Sequence, residues 1–344
     1  MSLNLGSATD GQILRLEAIQ KHLKVAASPW DEGFEAAVIA AVERRIQPIL
    51  KAEEPTSADE LVDAMAIHFG VHFEVVRTNE DIAQLQNEYV KTRRELGFAV
   101  LSHELQDPNV DALLFQLANP NGVSSHVSVL NLRGSSDREF WNKIHELTHR
   151  ISEPAQLTLA FRGHFDERQS PVERLVDAVA ANVAFCETYF RPIVARHARR
   201  HRSLTISVVD AIRNEWAPSA SFLAVANAVT RYWPHPVMVL VAEHRGRFQD
   251  GRQTNRDVAL RVDIHGRNAQ ATSIGMVPKL NWRVPSSSPL YSAFYERRRV
   301  EDVENLGDWT TSRGTPLPPV NVVTSAGWFG KRAYAIVTCE DMAA

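Results

Sequence analysis

Phe140-Trp141-Asn142-Lys143-Ile144-His145-Glu146-Leu147-Thr148-His149 is the stretch on which the reading of this chain turns. Phe140, Ile144, Leu147 and Ile151 recur at the spacing of one helical face, so the segment is an amphipathic helix with its apolar stripe toward a core. At about 100° per residue, His145 and His149 lie roughly 40° apart and one turn apart along the axis, roughly 140–180° away from Phe140. Two imidazoles so placed can grip one metal ion. Glu146 projects from the flank, where a carboxylate can act as a base on water without being a ligand itself. The pattern is that of zinc-dependent hydrolysis. Upstream, Ser136-Asp137-Arg138-Glu139 forms a capping box that predicts a helix start just before Phe140.

A zinc site of this type takes a third protein ligand and leaves a fourth position open for water. Glu173 is the candidate. It opens a second predicted helix behind Ser170 as cap and Pro171 at the first turn. Ser170-x-x-Glu173 is itself a capping box, so Glu173 has a competing role bonding the backbone. Val172, Val176, Val179 and Val183 form the apolar stripe of this helix. Glu173 and Asp177 share a neighbouring face with Ala180, Ala181 and Ala184, small residues that allow another helix to come close. Such an approach would make Glu173 a ligand and Asp177 the acceptor for a ligand imidazole N–H.

The run from Phe140 to His149, continued by Glu173-Arg-Leu-Val-Asp177-Ala-Val-Ala-Ala, resembles the ImmA/IrrE family of metallopeptidases. In that family a helical His-Glu-x-x-His is followed by a Glu-x-x-Ala-Asn/Asp-x-Phe-Ala-Ala stretch. The segment Ala58-Asp-Glu-Leu-Val-Asp-Ala-Met-Ala-Ile-His-Phe-Gly70-Val-His-Phe-Glu-Val-Val76 is similar to the helix, glycine turn and strand that open the family's domain. The resemblance spans about residues 55–235. It departs from pattern at Val176 and Val179, where Ala and Phe are usual, and at Cys186, where Pro is common; these positions concern packing. The resemblance implies a zinc-dependent peptidase, often encoded beside a helix-turn-helix repressor that it cleaves under stress or in mobile elements. It assigns His145, His149 and Glu173 as Zn2+ ligands and Glu146 as the base. His164 and Tyr189 are both candidates for the donor that steadies the oxyanion.

The rest of the composition fits a cytoplasmic enzyme. The chain has 344 residues, 44% of them hydrophobic, which suffices for two domains. A net charge of -3 argues against a generally basic nucleic-acid binder. Cys186 and Cys339 are the two cysteines, far from any Cys-x-x-Cys spacing, so neither a disulfide framework nor a thiolate zinc site is expected. No basic-then-apolar leader opens the chain, and the apolar run 237–242 is too short to span a bilayer.

Along the chain, residues 31–47 read as an amphipathic helix ending near Pro48, within an N-terminal helical segment, 1–54. Residues 123–132 read as a strand directly before the metal helix. It is either an edge that holds substrate by strand addition or an interior strand. Residues 203–234 read as two helices, Ile206–Trp216 and 219–233, joined at Ala217-Pro218. The second carries Phe222, Leu223, Val225 and Val229 with Arg231 as its lone base, so packing against the catalytic domain is expected rather than entry into a DNA groove. Arg191, Arg196, Arg199, Arg200 and Arg202 make a basic segment without interleaved aromatics, which reads as a solvated or protein-docking surface rather than a nucleic-acid site.

From Pro236 the pattern turns to strands, at 237–242, 258–264 and 333–338. Some family members carry a GAF-like C-terminal domain that senses small ligands, and 236–344 is a candidate counterpart. The fold class expected is thus α+β: a mainly helical, zincin-like domain with a small sheet over 55–235, then a β-rich domain. The function expected is a regulatory endopeptidase acting on one protein substrate, a helix-turn-helix repressor. Two alternatives stand beside it: a general cytoplasmic peptidase, and a non-catalytic regulatory factor with a structural zinc.

Overall fold

Gly70 turns the chain from a helix into the first strand of a sheet, because its backbone takes φ +66° where a side chain would be strained. In the computed structural model the described residues are 5, 8–107, 110–117, 125–133, 138–154, 158–162, 170–246, 248–249, 252–253, 258–278, 281–309 and 316–339. The fold is α+β. The chain forms two units, one of residues 1–186 with 217–220, the other of residues 187–216 with 221–344.

The first unit begins with three helices, α1 (Asp10–Leu23), α2 (Phe34–Glu53) and α3 (Ala58–Phe69). Thr9 caps α1 reciprocally: its hydroxyl accepts the Gln12 N–H, and the Gln12 side chain accepts the Thr9 N–H. Helix α2 runs through Pro48 rather than stopping before it. The proline removes one N–H bond, but Ile46, Ile49 and Leu50 around it are buried, and that packing carries the helix on.

After α3 come β1 (Val71–Val76), α4 (Asn79–Asn87), α5 (Leu101–Glu104), β2 (Val110–Gln116) and β3 (His126–Asn131). Then follow α6 (Glu139–Ser152), β4 (Thr158–Arg162) and α7 (Pro171–Ala184). The sheet order is β1-β3-β2-β4, with β1 parallel to β3 and the other pairs antiparallel. Leu113, Phe115, Val127 and Val129 enter a core with Tyr89 and Phe98, whose rings stack 4.1 Å apart. The alternate residues Ala112, Leu114 and Leu130 are also buried, on the face where α6 packs.

The strand expected at 123–132 is β3, and it is interior. Both its edges are paired, to β1 and β2, so it has no free backbone groups to offer a substrate. The edge strand that follows α6 in the chain is β4, bonded to β2.

The second unit opens with α8 (Glu187–Arg200), α9 (Ile206–Trp216) and α10 (Phe222–Thr230). Strands β5 (Val237–Arg245), β6 (Phe248–Gln249), β7 (Arg252–Gln253) and β8 (Ala259–Arg267) follow. The unit ends with α11 (Ala269–Ser273), α12 (Pro289–Glu296), β9 (Val300–Asn305), β10 (Asn321–Phe329) and β11 (Arg332–Thr338). Five strands form an antiparallel sheet in the order β8-β5-β11-β10-β9. Met238, Leu240 and Ala242 of β5 join Ala333, Ala335 and Val337 of β11 in one core with Leu290 and Ala293 of α12.

Helices α9 and α10 belong with this sheet in the second unit, not with the first unit as their sequence suggested. Ser325 Oγ of β10 accepts the Ile206 N–H at 3.1 Å, and a Cβ at Gly266 of β8 would stand 2.7 Å from Asn227 of α10. Accordingly the units divide after Cys186, whereas the change of pattern in the sequence falls near residue 235. The basic segment lies on α8, where Arg191 pairs with Glu187 at 2.5 Å and Arg196 with Glu215. Both cysteines are buried. Among the described residues no helix is long and apolar enough to cross a membrane.

Candidate metal centre

Helix α6 is buried on more than its apolar stripe. Phe140, Ile144, Leu147 and Ile151 enter the core, and His145, Glu146 and His149 on other faces are buried as well. The expected helix start is met, since α6 begins at Glu139 with Arg138 at the cap position. Ser136, the expected capping residue, lies outside the described residues.

Helix α7 packs directly on α6, and Ala180 and Ala184 are fully buried. This close approach brings Glu173 to the histidines. Glu173 Oε2 stands 3.3 Å from His145 Nε2 and 3.3 Å from His149 Nε2, and the two Nε2 atoms are 3.0 Å apart. The competing role does not materialise: Ser170 is the N-cap of α7, Pro171 takes its first turn, and no side-chain cap hydrogen bond forms.

The outward nitrogens fix the tautomers. His145 Nδ1 donates to Asp177 Oδ1 at 3.0 Å, and His149 Nδ1 donates to Glu153 Oε1 at 2.7 Å. With Nδ1 carrying the proton, each neutral imidazole presents a lone pair at Nε2. Two such nitrogens and a carboxylate oxygen therefore converge; burial disfavours charge on the rings, but the carboxylates of Asp177, Glu173 and Glu153 outweigh it and raise both histidines, so the cluster is satisfied either by protons on the rings or by a bound cation in their place. His145, His149 and Glu173 together could hold a metal ion. A tetrahedral ion with bonds of about 2.1 Å separates its ligand atoms by about 3.4 Å. The observed edges of 3.0 to 3.3 Å fit that size.

Burial would raise the Glu173 carboxyl, but His149 and His145 beside it outweigh that and hold it well below the usual carboxylate range. Burial pushes Glu146 the other way. Its carboxyl is raised, with the pull of His149 and His145 insufficient to offset desolvation. Neither Glu146 oxygen has a hydrogen-bond partner among the described residues. A buried carboxylate left this way is costly for stability, and costly groups of this kind are retained where chemistry needs them.

Two residues at the centre have no counterpart in the motif reading. Glu153, four residues after His149, is the acceptor for its Nδ1 proton. Arg15 of α1 pairs with Glu153 at 2.7 Å and lies 3.6 Å from Glu173 Oε1. The spacing His149-x-x-x-Glu153 was a readable signal, since residues four apart share a helix face. Arg15 gave no such signal. Of the two candidate oxyanion donors, His164 lies outside the described residues. Tyr189 belongs to the second unit, where its ring stacks on Trp216, whereas the cluster is built from the first unit alone. Compared with protein-family models and with curated proteins, the chain matches none.

Proposed function

We propose that this chain is a zinc-dependent endopeptidase of the ImmA/IrrE kind, acting in the cytoplasm on one regulatory protein, a helix-turn-helix repressor. One observation carries the reading: His145 Nε2, His149 Nε2 and Glu173 Oε2 converge at 3.0 to 3.3 Å, with the buried carboxyl of Glu146, which has no hydrogen-bond partner among the described residues, nearby. A purely structural zinc site has no use for such a base.

When bound, zinc supplies Lewis acidity and lowers the pKa of a coordinated water toward ~7. His145 and His149 would hold the ion through Nε2, and Glu173 through Oε2. Asp177 and Glu153 keep the two rings in the right tautomer. Glu146 takes a proton from the attacking water and delivers it to the leaving amine, a role suited to a carboxyl whose proton affinity burial has raised. Strand addition, if the substrate is held that way, falls to the edge strand β4 rather than to β3. The antiparallel sheet of the second unit, with α12 on one face and α9 and α10 tied to it, supports a GAF-like sensory role for that part.

The test is incubation of zinc-loaded protein and its Glu146→Gln form with candidate repressors, followed by mass mapping of the fragments. A single cut made only by the unaltered protein is the expected result. Rapid degradation of unrelated unfolded proteins with the repressors intact would point to a general peptidase. Tight repressor binding with no cut by either form would point to a non-catalytic regulator.

A further inference from the structure

Helix α1 lies outside the stretch that resembles the peptidase family, yet its Arg15 reaches the carboxylates around the cluster. Arg15 Nη2 donates to Glu153 Oε1 at 2.7 Å, the same oxygen that accepts the His149 Nδ1 proton at 2.7 Å. Arg15 Nη1 stands 3.6 Å from Glu173 Oε1, while the other oxygen of Glu173 faces the two imidazoles. One planar guanidinium thus touches both the carboxylate that orients a histidine and the spare oxygen of the third ligand. Helix α2 braces the same region. Arg45 donates to the Ile151 carbonyl at 2.9 Å, near the end of the metal helix, and to the His22 carbonyl at 2.7 Å, near the end of α1.

We propose that α1 is a working part of the metal centre, with Arg15 as the positioning residue that sets how tightly and in what geometry the ion is held. This rests on reading His145, His149 and Glu173 as the ligands. The physical role is to keep Glu173 monodentate. With Oε1 beside the guanidinium, only Oε2 would face a bound ion, and Glu153 is held where it accepts from the His149 ring. A carboxylate released from Arg15 can rotate, either chelating through both oxygens or turning away.

Positioning and plain electrostatics predict opposite signs. A guanidinium acting only as a charge opposes a cation, so its removal would tighten zinc binding. A guanidinium that positions the ligands makes its removal weaken binding, by roughly 10- to 100-fold on the scale of other supports of metal ligands.

The experiment uses the full chain and measures zinc affinity by competition with a chromophoric chelator, with the visible spectrum of the cobalt-loaded protein as a record of coordination geometry. Arg15→Met is expected to lose affinity in that range and to change the cobalt spectrum. Arg15→Lys keeps the charge and the stem but lacks the fork, so it recovers only part; it carries the test should Arg15→Met fail to fold. Arg77→Met, which removes a partly exposed pair with Glu139, is the control and leaves both readouts unchanged. Combined with Glu153→Gln, the Arg15 effect shrinks, because the two act through one contact. Unchanged or tighter zinc binding with an unaltered cobalt spectrum in Arg15→Met and Arg15→Lys overturns the proposal. Failure of the unaltered protein to bind zinc or cobalt at all overturns instead the ligand reading on which it rests.

Discussion

Glu153 Oε1 accepts the Nδ1 proton of His149 at 2.7 Å, as Asp177 Oδ1 does for His145 at 3.0 Å, but the two acceptors differ in exposure. The Glu153 side chain is 1% exposed and that of Asp177 is 43% exposed. Water can replace the second far more readily than the first. Glu153→Ala should therefore weaken zinc binding by roughly 10- to 100-fold, and Asp177→Ala by less. Glu173→Ala, which removes a ligand, should exceed both. Chelator competition on the three variants checks the order. Equal losses that merely follow loss of stability would return Glu173 to a structural role.

Glu146→Gln keeps the shape of the side chain and leaves the three ligand atoms in place, while removing the base. Zinc content should stay at about one ion per chain. Cleavage should fall by roughly 10²- to 10⁴-fold, the range for loss of a general base. Zinc analysis beside a turnover assay separates the two effects. Retained cleavage removes Glu146 from the mechanism.

What could be read from the sequence was local. His145, Glu146 and His149 lie within one and a half turns of a single helix, so periodicity suffices there, while the helix, glycine turn and strand of Ala58 to Val76 were legible through the family resemblance. Arg15 stands 138 residues from Glu153, and nothing in its own helix announces that partner. The Thr9-x-x-Gln12 capping box marks only the start of that helix and says nothing of the partner. Strand β9, Val-Glu-Asp-Val-Glu-Asn, is too polar to show alternation, and it sits at the sheet edge, where one side is left to solvent. Whether β3 was edge or interior depended on β1 and β2 meeting it, which is a property of the whole sheet.

His126, buried at the start of β3, gives a pH dependence that does not involve the metal site. Burial, aided by the neighbouring Arg150, lowers its pKa from 6.5 to about 4. Between those values the unfolded chain binds the proton and the folded chain does not. The contribution of His126 to stability is therefore complete above pH 6.5 and is lost as the pH falls toward 4. Unfolding free energies from urea titrations across that window should fall less steeply for His126→Gln than for the unaltered protein. The difference in slope is at most about 1.4 kcal/mol per pH unit. Identical slopes would show that His126 is protonated alike in both states.

The sheet order makes a prediction about how a substrate is held. Strand β3 is paired on both sides, whereas β4 is bonded to β2 and ends the sheet, so β4 is the strand of this sheet after α6 that can accept another by main-chain bonds. Strand addition recognises the backbone, and only alternate residues of an added strand point their N–H groups at the edge. Peptides spanning the cleavage site, each carrying one backbone N-methyl group, should reveal this. Methylation at every second residue should slow cleavage strongly, because it removes a donor and inserts a methyl group into the ladder. Methylation at the residues between should have little effect. A uniform response along the peptide, or sensitivity confined to side-chain changes, would mean that the substrate is held by pockets and that β4 plays no part in its binding.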